Sequence, residues 1–229
     1  MAAAASFTLL SAWVPRMISF AVGAMLGAAF LHLLPEALSQ ADSIEGLFAT
    51  LLAGMLAFFL LEKAALWRHR HESPGHTPQH RASVLIVIGD GLHNFVDGVL
   101  IAAAFLTDTG LGIAATAAIV AHEIPQEVGD FMVLLNAGYS RRKALLLNAA
   151  SSLTAVIGGL VGYLALGDAK NAVPYVVTVA AASFIYIAAA DLIPQLNHHN
   201  DARSIAWQTA LILLGIATIA VPHLWLHAH

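Results

Sequence analysis

The chain predicts an all-α, polytopic membrane helix bundle, and three observations carry that expectation. Of its 229 residues, 59% are hydrophobic and only 10% charged, far from the balance of a soluble domain. The apolar residues gather into seven long runs. The cations fall almost wholly in alternate connectors.

Taken in order, Met1 to Val14 is mildly apolar, lacks a cationic n-region and ends at Pro15-Arg16. It fits neither a signal peptide nor a full span, so residues 1–16 are set apart as a short leader and 17–229 as one transmembrane domain. The runs then cover 17–34, 47–66, 83–106, 111–135, 144–166, 174–193 and 205–226, each near the ~20 residues that cross a ~30 Å hydrocarbon core. The connectors between them are too short to hold a core of their own. A soluble enzyme and a nucleic-acid-binding module are thereby excluded, and the lipid bilayer is the first expected partner.

Arg16, Lys63, Arg68, Arg70, Arg81, Arg141, Arg142, Lys143 and Arg203 all fall on one side of such a bundle, and only Lys170 falls on the other. Cationic connectors stay in the cytoplasm. The expectation is therefore a cytoplasmic N-terminus and an outside C-terminus, in a bacterial inner (plasma) membrane. Residues 67–82 mix Pro, Gly and His69, His71, His76 and His80. This composition predicts a flexible cytoplasmic loop, either simply solvated or capturing metal weakly through its imidazoles.

Run one ends Phe30-Leu31-His32-Leu33-Leu34-Pro35-Glu36, and run six ends Ala189-Ala190-Asp191-Leu192-Ile193-Pro194-Gln195. Both read polar, two aliphatics, Pro, then Glu or Gln. The two runs cross in opposite directions, which is the pattern of an inverted repeat in an alternating-access transporter. Gly23-xxx-Gly27 and Gly158-xxx-Gly162 predict close helix approach.

The chemistry lies in runs three and four. Asp90, His93, Asn94 and Asp97 share one helical face of run three; on run four His122 pairs with Gln126, and Glu123 with Glu127 and Asp130. Ionisable groups at mid-bilayer cost ~2.5–3.5 kcal/mol each and mark function by default. Both sets sit at the middle of their runs and are expected to meet there. The chain has no Cys, so imidazole, carboxylate and amide are the available ligands, a set suited to Zn, Mn or Fe(II). Asp97, one turn from His93 and Asn94, is placed to bridge two ions. Pro125 frees the carbonyl of Ala121 inside run four.

Glu127, Asp130 and Asp90 extend a polar path inward, Asp191 is a candidate exit ligand, and His32 and Glu36 begin the path on the outer side. The C-terminal His223, His227 and His229 and the inner-face His198 and His199 have no assigned role. His122-Glu123-Ile124-Pro125-Gln126 also begins like the His-Glu-x-x-His motif of zinc hydrolases. Gln126 replaces the second His and Pro125 interrupts the helix, which breaks that catalytic arrangement. A non-transporting metal sensor or subunit is the remaining alternative.

His93-Asn94-Phe95-Val96-Asp97-Gly98 and His122-Glu123-Ile124-Pro125-Gln126-Glu127-Val128-Gly129-Asp130 resemble the fourth- and fifth-helix signatures of the ZIP (ZRT/IRT-like) family of divalent metal transporters. Phe30 to Glu36 resembles the end of that family's second helix. The resemblance implies an eight-helix fold with a binuclear metal centre between the fourth and fifth helices, a His-rich cytoplasmic loop after the third, and both termini outside. It places His93, Asn94, Asp97, His122, Glu123 and Gln126 at ligand positions, and implies a homodimer and an elevator-like motion of one helix bundle against another.

Gln126 stands where related chains have His or Glu, and Asp97 where other branches have Glu. Seven runs against eight helices imply that the family's first helix is missing or reduced to Met1–Val14, as a start set too far downstream would produce. The expected substrate is a divalent cation, zinc first, with iron, manganese and cadmium as alternatives, imported into the cytoplasm. Uptake is expected to fall at acid pH as His93 and His122 take up protons.

Overall fold

The computed structural model describes residues 2–71, 78–167, 169–196 and 201–226. Among them the chain is helical throughout: α1 (Ala2–Ala28), α2 (Leu34–Gln40), α3 (Ile44–His71), α4 (Pro78–Thr107), α5 (Thr109–Asn136), α6 (Arg141–Gly167), α7 (Val173–Tyr186), α8 (Ile193–Leu196) and α9 (Ala202–Leu226). A π-helical segment, Ala29–Leu33, joins α1 to α2, and a second, Ile187–Leu192, joins α7 to α8. The seven apolar runs thus become seven helical rods. Each rod outruns its apolar stretch, because hydropathy marks the hydrocarbon slab while the backbone hydrogen bonds continue into the interface.

Two boundaries differ from the sequence expectation. The stretch set apart as a leader is helical from Ala2 and continuous with the first span, with Pro15 inside α1. One proline removes a single backbone bond and can be carried within a long transmembrane helix. In the second connector, α3 runs on through His71 and α4 opens at Pro78. His76 lies outside the described residues, as do the side chains of His69, His71 and His80.

Trp13–Gln40, Val87–Thr107, Arg141–Gly167, Val173–Leu196 and Ala202–Val221 are long and apolar enough to cross a membrane, and Ile44–Leu60 is apolar but shorter. α5 is absent from that set because its middle carries His122, Glu123, Gln126 and Glu127. Large side chains lie bare on the outer faces, as Leu146, Leu153, Val156 and Leu160 do along α6. Water would not tolerate so extensive an apolar surface, whereas lipid requires it. The chain is an integral membrane protein.

Inside the bundle, small residues set the spacing. Ala21, Ala24, Ala28 and Ala29 on the first rod meet Val177, Ala180, Ala181 and Phe184 of α7 in one core. α4 lies along α6, and α1 along α9. A Cβ on Gly98 would strike the backbone carbonyl of Ala155, and one on Gly158 that of Phe95. Gly23 meets the backbone of Ile212 in the same way. The two Gly-xxx-Gly pairs therefore do what their spacing predicts. Arg16 lies over the rings of Trp13 and Trp207, 5.7 and 5.6 Å from their centroids, tying α1 to the start of α9.

The echo between runs one and six has a structural counterpart. In each, the residue before the proline donates to the carbonyl five residues back, Leu34 to Ala29 and Ile193 to Ala188. A residue preceding proline is disfavoured in a tight α-helix, and widening by one residue accommodates it. The first π segment packs on α7, and the second on α1, so the contacts are reciprocal.

Candidate metal centre

α4 and α5 cross at their midpoints, and each supplies two donors to a single point. His93 and Asp97 come from successive turns of α4; His122 and Glu123 are neighbours on α5. The two Nε2 atoms are 3.2 Å apart. His93 Nε2 lies 3.6 Å from Asp97 Oδ2 and 3.4 Å from Glu123 Oε1. His122 Nε2 lies 3.3 Å from each of the same two oxygens. Zinc bonded at ~2.0–2.2 Å to four tetrahedral ligands separates adjacent donors by roughly 3.3–3.5 Å. Five of the six donor separations therefore lie near the spacing such an ion demands, and all four donors lie within 4.8 Å of one another.

Burial sharpens the point. Asp97 has 0% of its surface exposed and His122 1%, yet both oxygens of Asp97 and Oε1 of Glu123 lack a hydrogen-bond partner. Stranded carboxylate oxygens are expensive in a low-dielectric interior. A cation at the shared point, or protons on the imidazoles, would meet the need, so metal and proton compete for one place. His122 Nδ1 lies 3.2 Å from the carbonyl of Ala118. Donation there leaves Nε2 as the lone-pair atom facing the site. The ring also meets the edge of Phe184 from α7, centroids 6.2 Å apart, which closes that side with an apolar wall.

A second group, Asp90, Glu123 and Glu127, lies toward the Pro78 end of α4. Glu123 is common to both groups, whereas Asp97, expected from its spacing to bridge, belongs to the first. The amides Asn94 and Gln126 both donate to Asp90 Oδ1, each at 3.1 Å. In the structure they orient a carboxylate, and their amide oxygens remain the ligand atoms they have to offer. Gln126 Nε2 is engaged with Asp90, whereas His122 Nε2 faces His93, Asp97 and Glu123.

The other expected path residues are not gathered with the centre. His32 is buried in the first π segment. Glu36 accepts from Gln40 at 2.6 Å, and Asp191 is exposed and accepts from Gln195 at 3.0 Å. Asp130 is half-buried one turn past Gln126 and belongs to neither group. His198, His199, His227 and His229 lie outside the described residues, as does the side chain of His223.

Sequence reading passed over α6, where Asn148, Ser151, Ser152 and Thr154 interrupt an apolar run. Asn148 and Ser152 face Glu127, and Thr154 Oγ1 donates to the carbonyl of Gly91 beside Asp90. Their i, i+3 and i+4 spacing was the available signal.

A family profile for the ZIP zinc transporters matches residues 68–222. The chain belongs to the ZIP zinc transporter family. Among ZIP relatives, human zinc transporter ZIP4 is 32% identical over 81% of this chain and 39% of its own length. Zinc transporter ZIP13 of Pongo abelii is 32% identical over 92% of this chain and 67% of its own. Zinc transporter YKE4 of Saccharomyces cerevisiae is 28% identical over 90% and 69%. The chain thus spans well under half of ZIP4 and about two thirds of the other two. The matched span holds all six residues of the two groups, the amides Asn94 and Gln126, and the α6 side chains beside them.

Proposed function

We propose that this chain carries divalent metal cations, zinc first and iron, manganese or cadmium after it, across the bilayer into the cytoplasm. The observation that carries the reading is the meeting of His93, Asp97, His122 and Glu123 within 4.8 Å of one another, mid-helix, with buried carboxylate oxygens left unmatched. The zinc transporters named above support the choice of cargo. An ion entering past His32 and Glu36 would be held by the two Nε2 atoms and the two carboxylates. Glu123, shared with the second group, would hand it to Asp90 and Glu127, with Asp130 and Asp191 further along. Asn94 and Gln126 hold Asp90 in place and have amide oxygens to contribute to a second ion. In this reading the four connector histidines, His69, His71, His76 and His80, gather metal on the cytoplasmic side.

The lopsided cations support inward-facing connectors and an inner-membrane location, and the family resemblance supports a homodimer. We read the chain as a carrier and not as an enzyme, because Glu123 stands among the donors instead of beside them as a free base. The test is zinc uptake into proteoliposomes of the 229-residue chain, set beside Asp97→Ala. Uptake by the first alone is expected. Equal uptake by both at equal protein abundance would remove the site from the pathway, and zinc binding without any uptake would favour a sensor or a subunit.

A further inference from the structure

α6 grips both walls of the centre with side chains that ligate nothing in the reading above. Asn148 is buried and its Nδ2 donates to the backbone carbonyl of Glu127 at 2.7 Å. One turn on, the Ser152 hydroxyl meets the Glu127 carboxylate at Oε1. One residue of α5 is thus held twice by one face of α6, by its main chain and by the tip of its side chain. Ser152 Oγ is also 2.9 Å from the carbonyl of Asn148, but a hydroxyl has one proton. Metal binding requires Glu127 ionised, and an ionised carboxylate can only accept, so in the metal-binding state the proton serves Glu127.

The hydroxyl of Ser151, next along, lies against the Leu147 and Asn148 carbonyls of its own helix. Thr154 ties α6 to α4 at Gly91, the neighbour of Asp90. Gly98 and Gly158 let α4 and α6 lie backbone to backbone, so the support is stiff. A glutamate left to itself samples many rotamers, and ordering it is a substantial entropic cost. Here that ordering is done by the neighbouring helix before any ion arrives.

We propose that Ser152, with Asn148, is a positioning residue: it aims the Glu127 carboxylate at the ion passed on by Glu123, so that α6 sets the geometry of the inner group. The inference rests on the reading of the chain as a metal carrier, and it concerns a helix that supplies no ligand in that reading.

The test is a double-mutant cycle on zinc affinity, titrating zinc chloride calorimetrically into the full chain in detergent. Ser152→Ala is expected to weaken the Glu127-dependent binding by roughly 10–100-fold, the usual effect of losing a group that orients a ligand. Ser152→Thr keeps the hydroxyl and is expected to restore it. Glu127→Gln with Ser152→Ala is expected to bind no more weakly than Glu127→Gln alone, since the serine acts through the carboxylate. Losses that multiply in the double variant, a threonine variant that binds like the alanine one, or zinc affinity indifferent to both residues would each overturn the proposal.

Uptake into proteoliposomes separates the two readings. Absent flux in the native chain with the cycle intact would remove the carrier reading and leave the positioning role standing. Flux that depends on Asp97 with a multiplicative cycle would remove the positioning role alone.

Discussion

Asp97 is a carboxylate with none of its surface exposed, both oxygens unmatched and two imidazole nitrogens 3.3 and 3.6 Å away. Asp97→Asn keeps the shape and removes the charge. Zinc affinity measured by calorimetry is expected to fall by more than the roughly 10–100-fold typical of changes outside the ligand shell. A matching affinity in the two proteins would show that the ion does not rest on Asp97. Coordination requires neutral imidazoles and ionised carboxylates. Zinc titrations at falling pH are therefore expected to show weaker binding, and in buffers of different ionisation heat a net release of protons. Which ionisable residues stand mid-span was legible, because such groups are costly in apolar runs and are conspicuous there. Their partners were not. Face-sharing arithmetic separated His122 from Glu123, yet both meet His93 Nε2 at 3.2–3.4 Å, because α4 crosses at the edge between their two faces.

The rods are held at fixed distances by glycines and by their caps. Gly158→Ala would press a methyl into the Phe95 carbonyl, and Phe95 lies between Asn94 and Asp97 on α4. Overpacking of this kind costs about 1–3 kcal/mol. Thermal unfolding is expected to show a lower midpoint and zinc titration a weaker site. Gly129→Ala, with nothing within 4 Å of the added carbon, serves as the control and is expected to be tolerated.

α5 is capped by Asp108, whose carboxylate accepts from the Leu111 amide at 3.0 Å. Asp108→Ala is expected to lower stability by about 1 kcal/mol, read as a shift in the unfolding midpoint. Asp201 caps α9 through the hydroxyl and amide of Ser204, and those bonds hold its carboxyl below the usual carboxylate range. That contribution is present above the ordinary aspartate range and disappears as pH falls through the lowered value. The rods themselves were legible from hydropathy. The π segments were not, since Pro35 and Pro194 announce a disturbed helix but not whether it breaks, kinks or widens.

For the molecule as a whole, the positive-inside rule predicts a cytoplasmic connector before α6 and an external one after it. Ser140 and Ala169 are exposed and lie just before and just after α6. Because the chain has no Cys, Ser140→Cys and Ala169→Cys each provide a single thiol. A membrane-impermeant maleimide applied to intact cells is expected to label Ala169→Cys alone. Labelling of Ser140→Cys alone would invert the topology and with it the direction of import. Lys143 over the ring of Tyr139, at 4.9 Å, fits an interfacial position for that connector.

Composition and period determined the all-α membrane bundle, its seven rods and the polar residues that interrupt them at mid-span, because hydrocarbon admits only helices with apolar exteriors and makes every exception conspicuous. Tertiary structure alone decided how those residues combine: Glu123 shared between two groups, Asn94 and Gln126 turned onto Asp90, and Asn148 and Ser152 of α6 brought to Glu127. The reason is geometric. Periodicity specifies the face a side chain occupies on its own helix, while the crossing of α4, α5 and α6, set by glycines that let backbones touch, determines which faces meet.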